Sequence, residues 1–392
     1  MKEQNVIAKK ELNPYIERVH FSYFRKGVSM KRHGLVFVPI VLLLLLFDSL
    51  SALPRFAVRT GAKCQSCHVN PTGGGMRNFY GSTSYGREAL PIKSWQEEFS
   101  LEEFTTQLND FVSVGADFRT LYYTEQANNG QAFWQMQGDI YLRANVAKKI
   151  NMYLDKGLYS GFEIFGIANI LPAEGYIKVG RFWPAFGLRI DDHTIFVRQY
   201  TGFNLRSFER AEDTGVEVGF LPGAFKGVVA VSNGGAQGIP SDKVRALLGR
   251  VELMFSASSF NFLVGGSAYR LAQGRSGKTI AGGFLGAALE NNAVLLGEVD
   301  YIDDKTGVAD IKSLVSYVEL DYALIQGLDL KVAYDFYDPD VKNKSGSFSR
   351  YSFGFEFFPI SGIEVRPLYR LYKEEPTDLK NDEVHVLIHF YL

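Results

Sequence analysis

The sequence predicts an all-β fold: a transmembrane antiparallel β-barrel of about 14–16 strands in the bacterial outer membrane, plugged by a small N-terminal segment. Three observations carry that prediction. An export signal precedes the folded part, apolar and polar residues alternate in strand-length runs, and the composition is rich in glycine and aromatics without long apolar stretches.

The export signal is MKRHGLVFVPIVLLLLLFDSLSALP, beginning at Met30. Lys31 and Arg32 form its basic start, Leu35 to Phe47 its apolar run, and Ser49, Ser51 and Ala52 the small residues before Leu53. The apolar run falls short of the roughly 20 residues of a membrane-spanning helix. Residues 1–52 therefore read as leader and signal peptide, with Met30 the expected true start. An uncleaved N-terminal anchor is the alternative. A net charge of −1 with no basic run gives no footing for nucleic acid.

Alternation supplies the strands. In LDLKVAYDFY, Leu328, Leu330, Val332, Tyr334 and Phe336 share one face, and Asp329, Lys331, Ala333, Asp335 and Tyr337 the other. LVSYVELDYAL sets Val318, Leu320, Tyr322 and Leu324 against Tyr317, Glu319 and Asp321. The final stretch, VHVLIHFYL, aligns Val384, Val386, Ile388, Phe390 and Leu392, leaving His385 and His389 to face a lumen. A soluble β-sandwich also alternates, but strands of about ten residues suit a tilted membrane span, and sandwich domains rarely run so long. Residues 109–392 are assigned to the barrel. No helical periodicity competes there, and the acidic pairs in RIDDHT and YIDDK read as loop residues.

Residues 53–108 carry the chemistry. The only two cysteines stand as Cys64-x-x-Cys67-His68, the attachment pattern of a c-type haem. Two thiols at that spacing reach two porphyrin vinyl groups, and His68 offers the proximal iron ligand. A zinc site would need more thiols, and a thioredoxin-like pair would need a βαβ context. SWQEEFSLEEFTTQL reads as a short helix with Ser100 and Glu103 as a capping box. The segment is too small to bury a haem alone, whereas a large barrel has room for it, so lumen side chains are expected to complete the pocket. Gly73, Gly74 and Gly75 would permit close backbone approach or form a turn. Arg59, Lys63 and Arg77 are candidates to pair with the haem propionates. For the distal metal ligand the candidates are His193 and Met76, with His193 preferred. His193 lies in a polar loop, where a lone histidine is ordinarily solvated.

LPRFAVRTGAKCQSCH resembles the start of the fused monohaem cytochrome–porins of iron-oxidising bacteria. Pro54, Phe56, Ala57, Arg59, Thr60 and Gly61 occupy the places of that family's proline and its FARQTG-like stretch, while Val58 departs from it. The likeness covers about 15 residues and beyond them is one of architecture. Separately, IKVGRFWPAFGLR, from Ile177 to Arg189, looks like a strand and turn of phosphate-selective-type porins. The first resemblance implies one covalent haem c, electron transfer across the outer membrane, a periplasmic cytochrome as acceptor, and Fe(II) as a candidate extracellular donor. A passive porin with incidental haem and a haem peroxidase are the competing readings. Peptide mapping of the mature protein is expected to find its N-terminus near Leu53.

Overall fold

The computed structural model describes residues 54–96, 105–127, 130–157, 161–203, 212–235, 245–273, 276–290, 292–305, 310–343 and 345–392. The leader at 1–52 and the Ser100–Glu103 capping box lie outside them. Among the described residues, sixteen antiparallel strands close into one barrel, from β1 (Val112–Glu125) to β16 (Glu383–Tyr391). Closure pairs the first strand with the last, with Asp117 opposite Tyr391 and Glu125 opposite Glu383. The even count and the seamless ladder remove every sheet edge, as backbone polar groups in lipid require.

The alternation seen in the sequence is turned inside out relative to a soluble protein. In β13 (Leu328–Asp338), Asp329, Lys331 and Asp335 are buried, while Leu330 and Val332 are 37% and 43% exposed. β12 (Asp310–Ile325) repeats this, with Glu319 and Asp321 inward and Val318, Leu320 and Tyr322 outward. The apolar exterior faces lipid and places the barrel in the bacterial outer membrane. Inside, many charges are paired: Lys331 lies 2.8 Å from both Glu319 and Asp321. Such pairing offsets the cost of taking these groups out of bulk water.

The two ends of the barrel differ. On the side of both termini, connections are short, such as residues 148–149 and 326–327. Short turns mark the periplasmic end of such barrels. On the other side, β5 (Gly175–Phe182) and β6 (Asp213–Phe220) are joined by a long connection. Its residues 183–203 fold into the lumen. Gly187 and Leu188 donate backbone N–H groups to Ser267 and Glu298 of the wall, at 3.0 and 2.8 Å. Phe196 N–H donates to Asp335 at 2.8 Å. A helix at Phe196–Thr201 corrects the expectation of no helix beyond Phe111. One turn of helix is too short to show periodicity. Asp303 and Asp304 belong to β11 (Ala293–Lys305), not to a loop as expected. The strand continues through them because its ladder with β12 runs on to Lys305 and Asp310.

The N-terminal segment occupies the periplasmic half of the lumen as a plug. It opens with a helix, Pro54–Thr60, whose proline fills a first-turn position that needs no N–H donor. Gly61, at φ 66°, ends it in the left-handed conformation. Val58 is wholly buried against the wall, and Arg59 pairs with Asp329 at 2.7 Å. Replacing outward Val318 with Arg is expected to destabilise the barrel by about 2–4 kcal/mol, the cost of a lipid-facing cation near mid-bilayer. Reversible denaturant unfolding in vesicles measures it.

Candidate functional site

Residues 64–81 fold tightly around their own backbone. Cys64–Ser66 form a single 3₁₀ turn, and His68 N–H reaches the Cys64 carbonyl at 2.9 Å. Asn78 locks the turn, donating from Nδ2 to the carbonyls of Gln65 and Ser66, each at 2.9 Å. Val69 N–H and Met76 O, 3.0 Å apart, close the glycine loop above it. Gly73, Gly74 and Gly75 all have positive φ, so the loop has the conformation only glycine adopts without strain. Gly75 O accepts from His68 Nδ1 at 3.3 Å. A carbonyl can only accept, so the proton sits on Nδ1 and the Nε2 lone pair is left for another partner.

These residues border a cavity in the lumen. Cys67, His68, Gly74, Gly75 and Arg77 come from the plug, and Asp117, Arg119, His389 and Tyr391 from the wall. The inward connection adds Trp183, Arg189, His193 and Arg198. Sequence reasoning thus named residues on two sides of one space, more than a hundred positions apart. His193 is 1% exposed, not solvated as a polar loop would have it. Its loop is folded inward, and its Nε2 lies 3.5 Å from Arg119.

The other candidates are placed differently. Cys64 Sγ does not line the cavity and points to Lys226 Nζ at 3.8 Å. Met76 is 1% exposed, its side chain packed near Gly115 of β1 and bordering a different, smaller cavity. His385 borders a further cavity of about 340 Å³. His389 is held between Glu364 and Asp117 at 2.8 and 2.7 Å. Lys63 reaches Leu221 O at 2.6 Å at the periplasmic turns. Of the three proposed propionate partners, only Arg77 therefore faces the cavity.

Electrostatics suit a neutral imidazole. Burial, reinforced by Arg77, pushes His68 down to about 3. Burial pushes the Cys67 thiol up to about 12. Burial alone would raise the Asp191 carboxyl, yet Arg366, Arg55 and Arg119 hold it well below the usual carboxylate range. Arg366 approaches Asp191 to 2.6 Å and Arg55 to 3.4 Å. Arg370 holds Asp192 at 2.8 Å. Arg119, Arg189, Arg198 and Trp183 escaped sequence reading. Clustering of Trp183, Arg189 and Arg198 with His193 in one connection was the available signal.

No protein-family model matches the chain, and no curated protein matches it. Solved structures do. Outer-membrane-expressed OmpT of Vibrio cholerae aligns with TM-score 0.53 and 10% identity over 74% of this chain and all of that one. OprB of Pseudomonas putida gives 0.58 and 9% over 72% and 94%. An anion-selective porin from Comamonas acidovorans gives 0.50 and 13% over 72% and 99%. The barrel has the outer-membrane porin fold.

Replacing Asp191 with Ala leaves Arg366 and Arg55 short of a counter-charge. It is expected to loosen residues 183–203 by about 3–5 kcal/mol. Amide exchange read by mass spectrometry should rise there and not in the strands.

Proposed function

We propose that this chain holds one covalent c-type haem in the barrel lumen and conducts electrons across the outer membrane. One observation carries the reading. The fold brings Cys67 and His68 of the attachment motif onto one lumen cavity, which His193 and His389 also border. Cys64 and Cys67 would bind the porphyrin as thioethers, once Cys64 turns its thiol from Lys226. His68 would supply the proximal nitrogen and His193 the distal one, with Met76 the alternative. A haem held there supplies a one-electron centre.

The remaining work falls to the chain. Gly75 O fixes the His68 tautomer that leaves Nε2 for a metal. Gly74 and Gly75 keep the cavity wall free of side chains. The plug and the inward connection supply two walls of the site. The barrel carries the centre through an apolar band of about 25 Å that soluble redox partners cannot cross. Electron transfer weakens steeply with distance, so a centre within the lumen shortens both jumps. The donor side is extracellular, where a small reductant such as Fe(II) is the first to test. The acceptor is a periplasmic cytochrome.

The porin fold favours a second reading, passive diffusion. Against it stands the plug, tied to the wall by Arg59–Asp329 and to the inward connection by Arg55–Asp191. A peroxidase would need an open iron position, which His193 would close.

The experiments are an in-gel haem stain and a vesicle assay. The wild-type band should stain after denaturation and the Cys64→Ala/Cys67→Ala band should not. In vesicles enclosing a redox dye, Fe(II) outside should reduce the dye through the wild type only. The same variant should alter neither barrel yield nor folded gel mobility. Equal dye reduction by both proteins, with sugars or phosphate leaking through, would identify a porin.

A further inference from the structure

The cavity walls hold more positive charge than they neutralise. Five arginines and three carboxylates line it, an excess of two positive charges among these eight groups. Arg55 pairs with Asp191 and Glu356, and Arg119 pairs with Asp117. The third lining carboxylate, Glu364, is taken by Arg366 and His389. Arg77, Arg189 and Arg198 are left with no carboxylate at ion-pair distance among the described residues.

Their donors are not all used. Arg198 is 5% exposed and stacks 4.4 Å over Trp183. One of its terminal nitrogens donates to Ile190 O, while Nε and Nη2 have no partner. Arg189 spends Nη1 on Gly73 O and Nη2 on Trp183 O, each at 2.6 Å, and leaves Nε unpartnered. Arg77 lies 4.5 Å over the Tyr391 ring with Nη1 unpartnered. Buried guanidinium donors without acceptor or counter-charge are costly. Three around one cavity point to an occupant that brings negative charge.

The occupant must also suit the rest of the wall. Phe56, Tyr85, Tyr141, Trp183, Phe358 and Tyr391 make much of it aromatic. An inorganic anion would satisfy the guanidinium donors but leave this aromatic lining without an apolar partner. A large apolar ring system with an anionic edge meets both demands. We propose that Arg77, Arg189 and Arg198 clamp the two carboxylates of the bound porphyrin. This rests on the haem reading above. It replaces Arg59 and Lys63, which are engaged with Asp329 and with Leu221 and Glu174. Charge-assisted bonds from a planar fork are the strong kind, and guanidinium matches carboxylate geometry.

The test separates the clamp from attachment. Full-length Cys64→Ala/Cys67→Ala protein is refolded into vesicles at increasing concentrations of haemin or of haemin dimethyl ester, and binding is read by absorbance. Haemin should bind about tenfold or more tightly than the uncharged ester. Adding Arg198→Gln or Arg77→Gln should shrink that difference, with barrel folding checked by gel mobility. The ester comparison alone remains decisive if those variants fail to fold. Equal affinity for both ligands overturns the clamp while leaving the haem reading intact. Binding of neither ligand overturns both.

Discussion

Asp191 is the point on which the lumen turns. Arg55 reaches it from the plug helix and Arg366 from the barrel wall, while Arg119 donates to its backbone carbonyl at 2.5 Å. Three parts of the chain far apart in sequence thus meet at one residue. In a water-poor interior, none of those charges can be left alone without a large penalty. The need to satisfy them holds the inward connection against the plug, and the cavity is the space enclosed when both are in place. Glu356, shared by Arg55 and Arg366, closes the network on itself.

The barrel was legible because its rule is local. Lipid outside and polar groups inside impose a period of two on each strand, and Leu328–Tyr337 or Leu314–Leu324 display it without help from the rest of the chain. The plug was legible for a different reason, since two cysteines and a histidine in one short run have few structural uses. What stayed hidden is long-range. Nothing near Asp191 in sequence announces that its partners are Arg55, Arg119 and Arg366. His193 sits in what looks like an ordinary polar loop, and its burial comes from a turn inward that no periodicity encodes. Arg59 and Lys63 looked suited to a ligand from proximity alone. Their side chains instead tie the plug to the wall, because Asp329 and the periplasmic turns lie closer than the cavity.

The likeness to porins sets the fold apart from its use. Sixteen strands around a lumen serve as a pore when the interior is left wet. Here the same shell is furnished with a second, inner layer of protein. Trp183, Phe186, Ile190, Ile195, Phe196 and Val197 of the inward connection are all buried, and Phe186 stacks on Phe203 at 4.8 Å within it. The connection thus carries its own apolar core and hydrogen-bonds to several strands of the wall.

Enclosure also dictates an order of events. Cys67 is 4% exposed, lies within a continuous ring of strands, and its carbonyl would collide with any side chain placed at Gly81. The Asn78 lock and the glycine loop pack over the motif inside that ring. Both thiols are more open to a reagent before the strands close around them than after. On the haem reading proposed above, attachment would precede closure of the barrel, and a chain that closed unmodified would keep its Cys67 thiol buried.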